Sequence, residues 1–142
     1  MVSGQWSVGK KPEWPVARKK LMQINTYKDL IVWQKAMDLA ETVHRLSQSF
    51  PKEELYGLTS QLRRAAVSVP SNIAEGQARQ STAEFKNFLS ISHGSLAEVE
   101  TQLLLAIRFK YLTSQQAAAA LSLREEISKM LSSLRSKLAT GH

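Results

Sequence analysis

The chain has 142 residues, enough for one domain whose core buries roughly two-thirds of the surface exposed by the unfolded chain. It contains no cysteine, which excludes disulfides, thiolate nucleophiles and cysteine-ligated zinc and suits a cytoplasmic protein. No apolar run reaches the ~18 residues of a membrane-spanning helix, and residues 1–11 lack the apolar centre of a signal peptide. We therefore expect one cytoplasmic domain without a membrane segment.

The formal net charge is +7, and more than half of it lies at the N-terminus. Residues 1–21 hold five basic and one acidic side chain, a net +4, whereas residues 22–142 hold 14 basic and 11 acidic side chains, a net +3. Pro12 and Pro15 predict a flexible basic tail over residues 1–24, ahead of a folded domain over residues 25–140. Two interpretations of the tail stay open: a segment upstream of the true start codon, or a basic arm whose Trp6 and Trp14 stack on bases.

Four segments of the domain show apolar residues at steps of three and four, the spacing of helices with one buried face. The first helix is predicted to begin near Thr26 to Lys28 and to end before Pro51. Its predicted buried side chains are Leu30, Trp33, Met37, Ala40, Val43 and Leu46.

The second helix is predicted over about Glu53 to Glu75, with Gly76 as its stop. Pro70 removes a backbone donor, which costs about 3 kcal/mol in an ordinary helix interior, so a kink or a restart is expected there. Asn72 and Glu75 are candidates to bond the backbone that Pro70 frees. The predicted buried side chains are Leu58, Leu62, Ala65, Ala66, Val69 and Ile73.

The third and fourth helices carry capping signals. Ser81 and Glu84 form a capping-box pattern at the start of the third helix, predicted to be the longest, and Thr113 or Ser114 can cap the fourth. The third buries Phe85, Phe88, Leu89, Leu96, Val99, Leu103 and Ile107, and the fourth buries Ala120, Leu123, Ile127, Met130, Leu134 and Leu138. Short connections between four amphipathic helices predict an all-α, antiparallel up-down four-helix bundle.

The third helix has more apolar surface than one packing seam needs. Ile91, Leu104 and Leu105 point away from its main stripe, which favours an oligomer interface because exposed apolar rows promote association. A wider buried stripe is the alternative explanation.

The sequence shows few of the motifs that catalytic sites use. Glu41 and His44 have the Glu-x-x-His spacing of ferritin-like di-iron bundles, but His93 has Ser90 where a second motif needs glutamate. Neither a Gly-rich phosphate loop nor a dinucleotide-binding motif occurs. We expect no enzyme, no metal site and no cofactor.

A family resemblance rests on four ordered segments. They are YKDLIVWQKAM at residues 27–37, FPKEELYGLTSQL at 50–62, GLTSQLRRAAVSVPSNIAEG at 57–76 and EFKNFLSISHGSLAEVETQLLLAIRFKYL at 84–112. Over about residues 25–138 the chain resembles the bacterial four-helix-bundle proteins encoded by intervening sequences in 23S ribosomal RNA genes. The resemblance implies a ring, usually a homopentamer, and relatives among accessory proteins of diversity-generating retroelements that bind nucleic acid and a reverse transcriptase.

Basic side chains on the second and third helices are the predicted contacts to a phosphate backbone. The same arginines can instead form ion pairs with Glu75, Glu98 or Glu100. We expect a non-enzymatic oligomer that binds RNA or DNA, or that assists a nucleic-acid-processing protein such as a reverse transcriptase. The alternative is a purely structural or protein-interaction assembly. The candidate binding residues are Arg63, Arg64, Arg79, Lys86, Arg108 and Lys110.

Overall fold

The computed structural model describes Tyr27 and residues 30–140, with side chains up to Leu138. Its four α-helices confirm the all-α class, and no strand occurs among the described residues. The tail predicted over residues 1–24 lies outside this range. The first helix was predicted to begin near Thr26 to Lys28, but it begins at Ile31, after Leu30 in an extended conformation. The helices are α1 (Ile31–Ser47), α2 (Leu58–Gln77), α3 (Thr82–Arg108) and α4 (Ser114–Thr140), with a 3-10 turn at Lys52–Glu54 before α2.

The helices form a closed bundle in which each packs against the next and α4 returns to α1. Two hydrogen bonds show the direction of packing between α2 and α3. Ser92 Oγ donates to the Val69 carbonyl at 2.9 Å, and Ser95 Oγ donates to Ser68 Oγ at 2.8 Å. Residue numbers therefore rise along α3 as they fall along α2, which makes the pair antiparallel. The same reversal joins α3 to α4. It also joins α1 to α2, because Ser47 at the end of α1 contacts Arg63 while Trp33 near its start lines one groove with Ala78.

The buried face of α1 differs from the predicted one. Met37 is 46% exposed and Trp33 is only half-buried, although both were predicted to lie in the core. The helix carries two neighbouring apolar stripes, and packing against α2 and α4 buries the other one. Leu30 and Val43 are buried as predicted, whereas Trp33, Met37 and Ala40 line a groove between α1 and α2. The stripe that α1 does bury consists of Val32, Ala36, Leu39 and Val43.

The predicted buried stripe of α2 is confirmed, but both of its predicted ends were wrong. The helix begins at Leu58, whose backbone N–H donates to Glu54 Oε1 at 3.0 Å. It continues as one element through the buried Pro70 and past Gly76 to Gln77. A Cβ on Gly76 would lie 2.6 Å from the Cβ of Phe88, so this glycine permits close approach of α3 rather than ending the helix.

Capping follows the predictions more closely. Ser81 Oγ accepts from the Glu84 N–H at 3.2 Å at the start of α3. At the start of α4, Thr113 Oγ1 accepts from the Gln116 N–H at 3.0 Å, and Gln116 Oε1 accepts from the Thr113 N–H at 2.9 Å. Both helices have 27 residues, so α3 is not longer than α4.

The packing seam of α4 is shifted by one residue from the predicted one at two places. Leu123 and Met130 are half-buried, whereas their neighbours Arg124 and Leu131 take the buried positions. Arg124 therefore lies at a seam position of the bundle, where the sequence pattern led us to expect leucine.

Candidate nucleic-acid interface

The six predicted phosphate contacts fall at opposite ends of the bundle. Arg63 and Arg64 lie in the early turns of α2, and Arg108 and Lys110 lie where α3 ends. These two regions are neighbours, because Tyr111 Oη, just after α3, donates to Glu54 Oε2 at 2.8 Å, just before α2. The remaining two candidates, Arg79 and Lys86, flank the loop from α2 to α3. Arg79 follows the end of α2, and the fourteen-residue rise from Arg63 to Gln77 is about 21 Å along the helix axis.

Arg63 is held by the protein itself. Its Nε donates to Ser47 Oγ at 2.7 Å and its Nη2 donates to the His44 carbonyl at 3.3 Å. Both partners lie in the last turn of α1, where unpaired carbonyls make the helix end negative. Arg63 therefore links α2 to the C-terminal end of α1, and its guanidinium is already occupied in a structural contact.

Arg64 is exposed beside a polar groove between α2 and α3. The groove has a volume of about 410 Å³ and is shared with Glu98 and Gln102. Gln102 Oε1 is buried there and has no hydrogen-bond partner among the described residues. Arg64 thus stands next to polar groups on α3, among them the carboxylate of Glu98.

The end of α3 presents two cations and an aromatic ring to solvent. Arg108 and Lys110 are exposed, and the Phe109 side chain between them is 50% exposed. On the neighbouring segment before α2, Tyr56 is 93% exposed. We call Tyr56, Arg64, Arg108, Phe109 and Lys110 the basic end.

Lys110 has an unusual backbone conformation. Its φ is +68°, the left-handed region, and it follows the last residues of α3 in the position that glycine usually takes. The Tyr111 N–H donates to the Ala106 carbonyl at 2.9 Å, and the Lys110 N–H donates to the Ile107 carbonyl at 2.9 Å. This pair of bonds is a Schellman motif, and it fixes Lys110 on the outside of the turn.

Arg79 contacts side chains that lie at its own end of the bundle. Its Nη2 lies 2.8 Å from Glu75 Oε2, and its guanidinium lies 5.1 Å from the centre of the Phe88 ring. This confirms the ion-pair alternative for Arg79 and Glu75. Asn72, proposed to bond the backbone near Pro70, donates to the carbonyl and Oγ of Ser68 at 2.8 and 2.9 Å.

Sequence reasoning missed a basic cluster between α3 and α4. Arg124 is only 8% exposed, donates to Glu125 Oε1 at 2.9 Å, and lies 3.9 Å from Glu100. Nearby, His93 Nε2 lies 3.0 Å from Ser128 Oγ. Burial lowers the pKa of His93, and the charges of Arg135 and Arg124 lower it further. The sequence did contain a signal for this burial: Arg124 lies four residues after Ala120 and three before Ile127, which is the spacing of the buried face of α4.

The Glu-x-x-His pair on α1 does not form a metal cluster. Glu41 Oε2 lies 3.4 Å from Arg45 Nη1, and His44 is exposed. Among the described residues, no three His, Asp or Glu side chains come together in a way that could hold a metal ion. The same part of the chain contains no helix long and apolar enough to cross a membrane.

Comparison with known proteins gives the family. The family model described as 23S rRNA-intervening sequence protein matches residues 28–133. The chain belongs to this family. A crystal structure of a protein of unknown function from the S23 ribosomal protein family of Bacteroides thetaiotaomicron superposes with a TM-score of 0.67 at 28% sequence identity. The match covers 74% of this chain and 98% of that chain. A search of curated proteins gave no match.

The bundle of this 23S rRNA-intervening sequence protein leaves apolar side chains of α3 on the surface. Ile91 and Leu104 are exposed, and Leu105 is half-buried. At 100° per residue, Ile91 and Leu105 lie about 40° apart around the helix, whereas Leu104 lies about 140° from Ile91. The three side chains predicted as an interface therefore do not form one row. They flank the exposed arc of α3 on both sides.

Proposed function

We propose that this family member is a non-enzymatic, oligomeric four-helix bundle that binds the phosphate backbone of RNA or DNA in the cytoplasm. The observation that carries this proposal is the basic end, where exposed cations lie beside exposed aromatic rings. Cations bind phosphates by releasing counterions, and aromatic rings stack on unpaired bases of any sequence. The combination favours single strands or loops over a perfect duplex, with little sequence preference.

The charge of the bundle limits the affinity of one subunit. Residues 22–142 carry a net charge of only +3, so few phosphates can be neutralised at one basic end. An oligomer repeats the basic end and binds a long strand through several weak contacts at once, which raises the overall affinity. The proposal therefore includes a ring, with a homopentamer as the expected size and Ile91, Leu104 and Leu105 in its contacts.

The conformation of Lys110 supports a functional use of its charge. A residue with a Cβ in the left-handed region costs roughly 1 kcal/mol relative to glycine. Lys110→Gly should therefore stabilise the bundle slightly while weakening nucleic-acid binding. A variant that gained stability and kept full affinity would remove Lys110 from the interface.

Binding is tested by fluorescence anisotropy with long single-stranded RNA and DNA and with a duplex. We expect Arg108→Glu with Lys110→Glu to weaken binding to all of them and to reduce the dependence of affinity on salt. The matched control is Lys129→Glu with Lys137→Glu, which makes the same charge change on the exposed side of α4. Equal losses in both double variants would mean that net charge, rather than the basic end, controls binding.

The oligomer is tested separately by light scattering. Leu104→Asp should reduce the mass in solution, because an unpaired charge buried in an interface costs several kcal/mol. A wild-type monomer at tens of micromolar would overturn the ring.

The alternative function is a structural or protein-interaction assembly. An accessory role beside a reverse transcriptase or another nucleic-acid-processing protein is a related possibility, in which the basic end contacts the partner's nucleic acid. If the wild-type oligomer shows no binding to RNA or DNA at low salt, the structural assembly becomes the better description.

A further inference from the structure

The polar groove between α2 and α3 shares Arg64 with the basic end. Gln61 and Arg64 line it from α2, and Glu98 and Gln102 line it from α3. Its volume of about 410 Å³ falls in the range of small-molecule pockets, roughly 300–1,000 Å³. The phosphate and stacking contacts of the basic end do not distinguish one base from another, so a base preference requires a polar surface such as this groove.

The two charged side chains of the groove are not paired with each other. Arg64 and Glu98 are exposed and line the same groove, yet neither forms an ion pair with any of the described residues. The Arg64 guanidinium only donates hydrogen bonds, and the Glu98 carboxylate only accepts them. Both groups are therefore available to a molecule that lies between α2 and α3.

Gln102 supplies a second acceptor on the α3 side of the groove. Its side chain is half-buried, and its Oε1 has no hydrogen-bond partner in the part of the chain that the structure describes. A buried acceptor without a donor is unfavourable, and this cost is removed when the amide turns into the groove and accepts from a ligand N–H. The groove thus offers two acceptors on α3, Glu98 and Gln102, and the donors of Arg64 on α2.

The groove extends toward the exposed aromatic ring of the basic end. Seven residues, almost two helical turns, separate Gln102 from Phe109, so both lie on the same side of α3, about 10 Å apart along its axis. Ser68 lies level with Ser95, so the antiparallel α2 places Gln61 at the end of the groove nearer Phe109. A strand that stacks one base on Phe109 can place another base in the groove.

We propose that the groove binds the pairing edge of an unpaired guanine, a proposal that rests on the binding of single strands at the basic end. Guanine presents two neighbouring donors, N1–H and the N2 amino group, beside one acceptor, O6. Glu98 and Gln102 accept from the two donors, and Arg64 donates to O6. Adenine, cytosine and uracil each present only one donor group on this edge, so each leaves an acceptor of the groove unpaired.

Fluorescence anisotropy with oligouridine strands of equal length tests this preference in the wild-type protein. The strands carry guanosine, adenosine or inosine at every fourth position. We expect the guanosine strand to bind about tenfold more tightly than the adenosine strand, which is the difference that one two-point base contact provides. Inosine lacks the N2 amino group, so its strand should bind with an intermediate affinity. Equal affinities for the three strands would overturn guanine binding in strands and leave the phosphate contacts of the basic end intact.

Glu98→Met separates base recognition from overall charge. Removing a carboxylate makes the protein more basic, so binding of the adenosine strand should be kept or strengthened. The preference for guanosine should nevertheless be lost, because one acceptor for the base is gone. The matched control is Glu84→Met, which makes the same change near the other end of α3 and should keep the preference. A Glu98→Met variant with the full preference would overturn the assignment.

Saturation-transfer NMR with free mononucleotides tests the groove without strand binding. Guanosine monophosphate should receive more saturation from the wild-type protein than adenosine monophosphate, and Gln102→Met should remove the difference. Selectivity for guanine among free nucleotides but not among strands would support the guanine site and assign it to a free nucleotide. Absence of selectivity in both experiments would overturn the proposal, even if the protein bound every strand tightly.

Discussion

Replacing Gly76 with alanine tests how closely α2 and α3 pack. A Cβ at this position would lie 2.6 Å from the Cβ of Phe88, 3.0 Å from Phe85 Cδ1 and 3.3 Å from the Phe85 carbonyl oxygen. The Phe88 Cβ cannot rotate away, because it is fixed by the backbone of α3. The two helices must separate locally by about 1 Å before the two Cβ atoms reach an ordinary carbon–carbon contact distance.

The cost follows from the packing around this contact. Phe85 is fully buried, so a shift of α3 also disturbs the core beneath it. Overpacking of this kind typically costs 1–3 kcal/mol, and alanine regains up to about 1 kcal/mol through its higher helix propensity. We expect Gly76→Ala to lower the free energy of unfolding by about 2 kcal/mol. For a domain of this size that lowers Tm by roughly 6–10 °C.

The same substitution at Gly94 provides the control. Nothing lies within 4 Å of a Cβ built on Gly94, which is exposed in the middle of α3. Gly94→Ala should therefore raise stability by about 0.5–1 kcal/mol through helix propensity alone. Thermal unfolding by circular dichroism is compared at one protein concentration, because oligomerisation makes Tm depend on concentration. A Gly76→Ala variant as stable as Gly94→Ala would refute the close approach of α2 and α3.

Two further predictions concern polar side chains. Hydrogen bonds from the Leu58 N–H and the Tyr111 hydroxyl lower the pKa of Glu54 below its ordinary 4.5. The ionised carboxylate therefore stabilises the folded protein above pH 4.5, and this stabilisation is lost as the pH falls through the lowered pKa. The glutamine in Glu54→Gln does not titrate, so the Tm of this variant should fall less between about pH 6 and pH 3 than the Tm of the wild type. An equal fall in both proteins would show that other groups cause the acid sensitivity. Arg124→Met should change the free energy of unfolding by less than about 1 kcal/mol because it keeps the seam filled, whereas Arg124→Ala should cost about 1–2 kcal/mol more than methionine. Urea unfolding measures both Arg124 variants, and a methionine variant destabilised as much as the alanine variant would show that the ion pairs of Arg124, not its packing, stabilise this position.

The sequence by itself determined the number of helices, their class and the N-caps of α3 and α4. Ser81 and Thr113 act within three residues of their own positions, so their roles can be predicted from local spacing. The buried stripe of α2 was also predictable, because the side chains at its helical spacing are apolar on one face only.

Only the tertiary structure decided between alternatives that local spacing leaves equal. The two apolar stripes of α1 have the same periodicity, and the neighbours α2 and α4 determine that Val32 and Leu39 are buried while Met37 faces the groove. Gly76 has the sequence signature of a helix stop, yet contact with Phe88, twelve residues away, explains it better. The hydrogen bonds from Arg63 to Ser47 and the His44 carbonyl depend on the end of α1 lying beside α2, which the spacing within α2 does not reveal. In each case the deciding contact is made by a residue on another helix. The spacing of residues within one helix carries no information about how close that other helix lies.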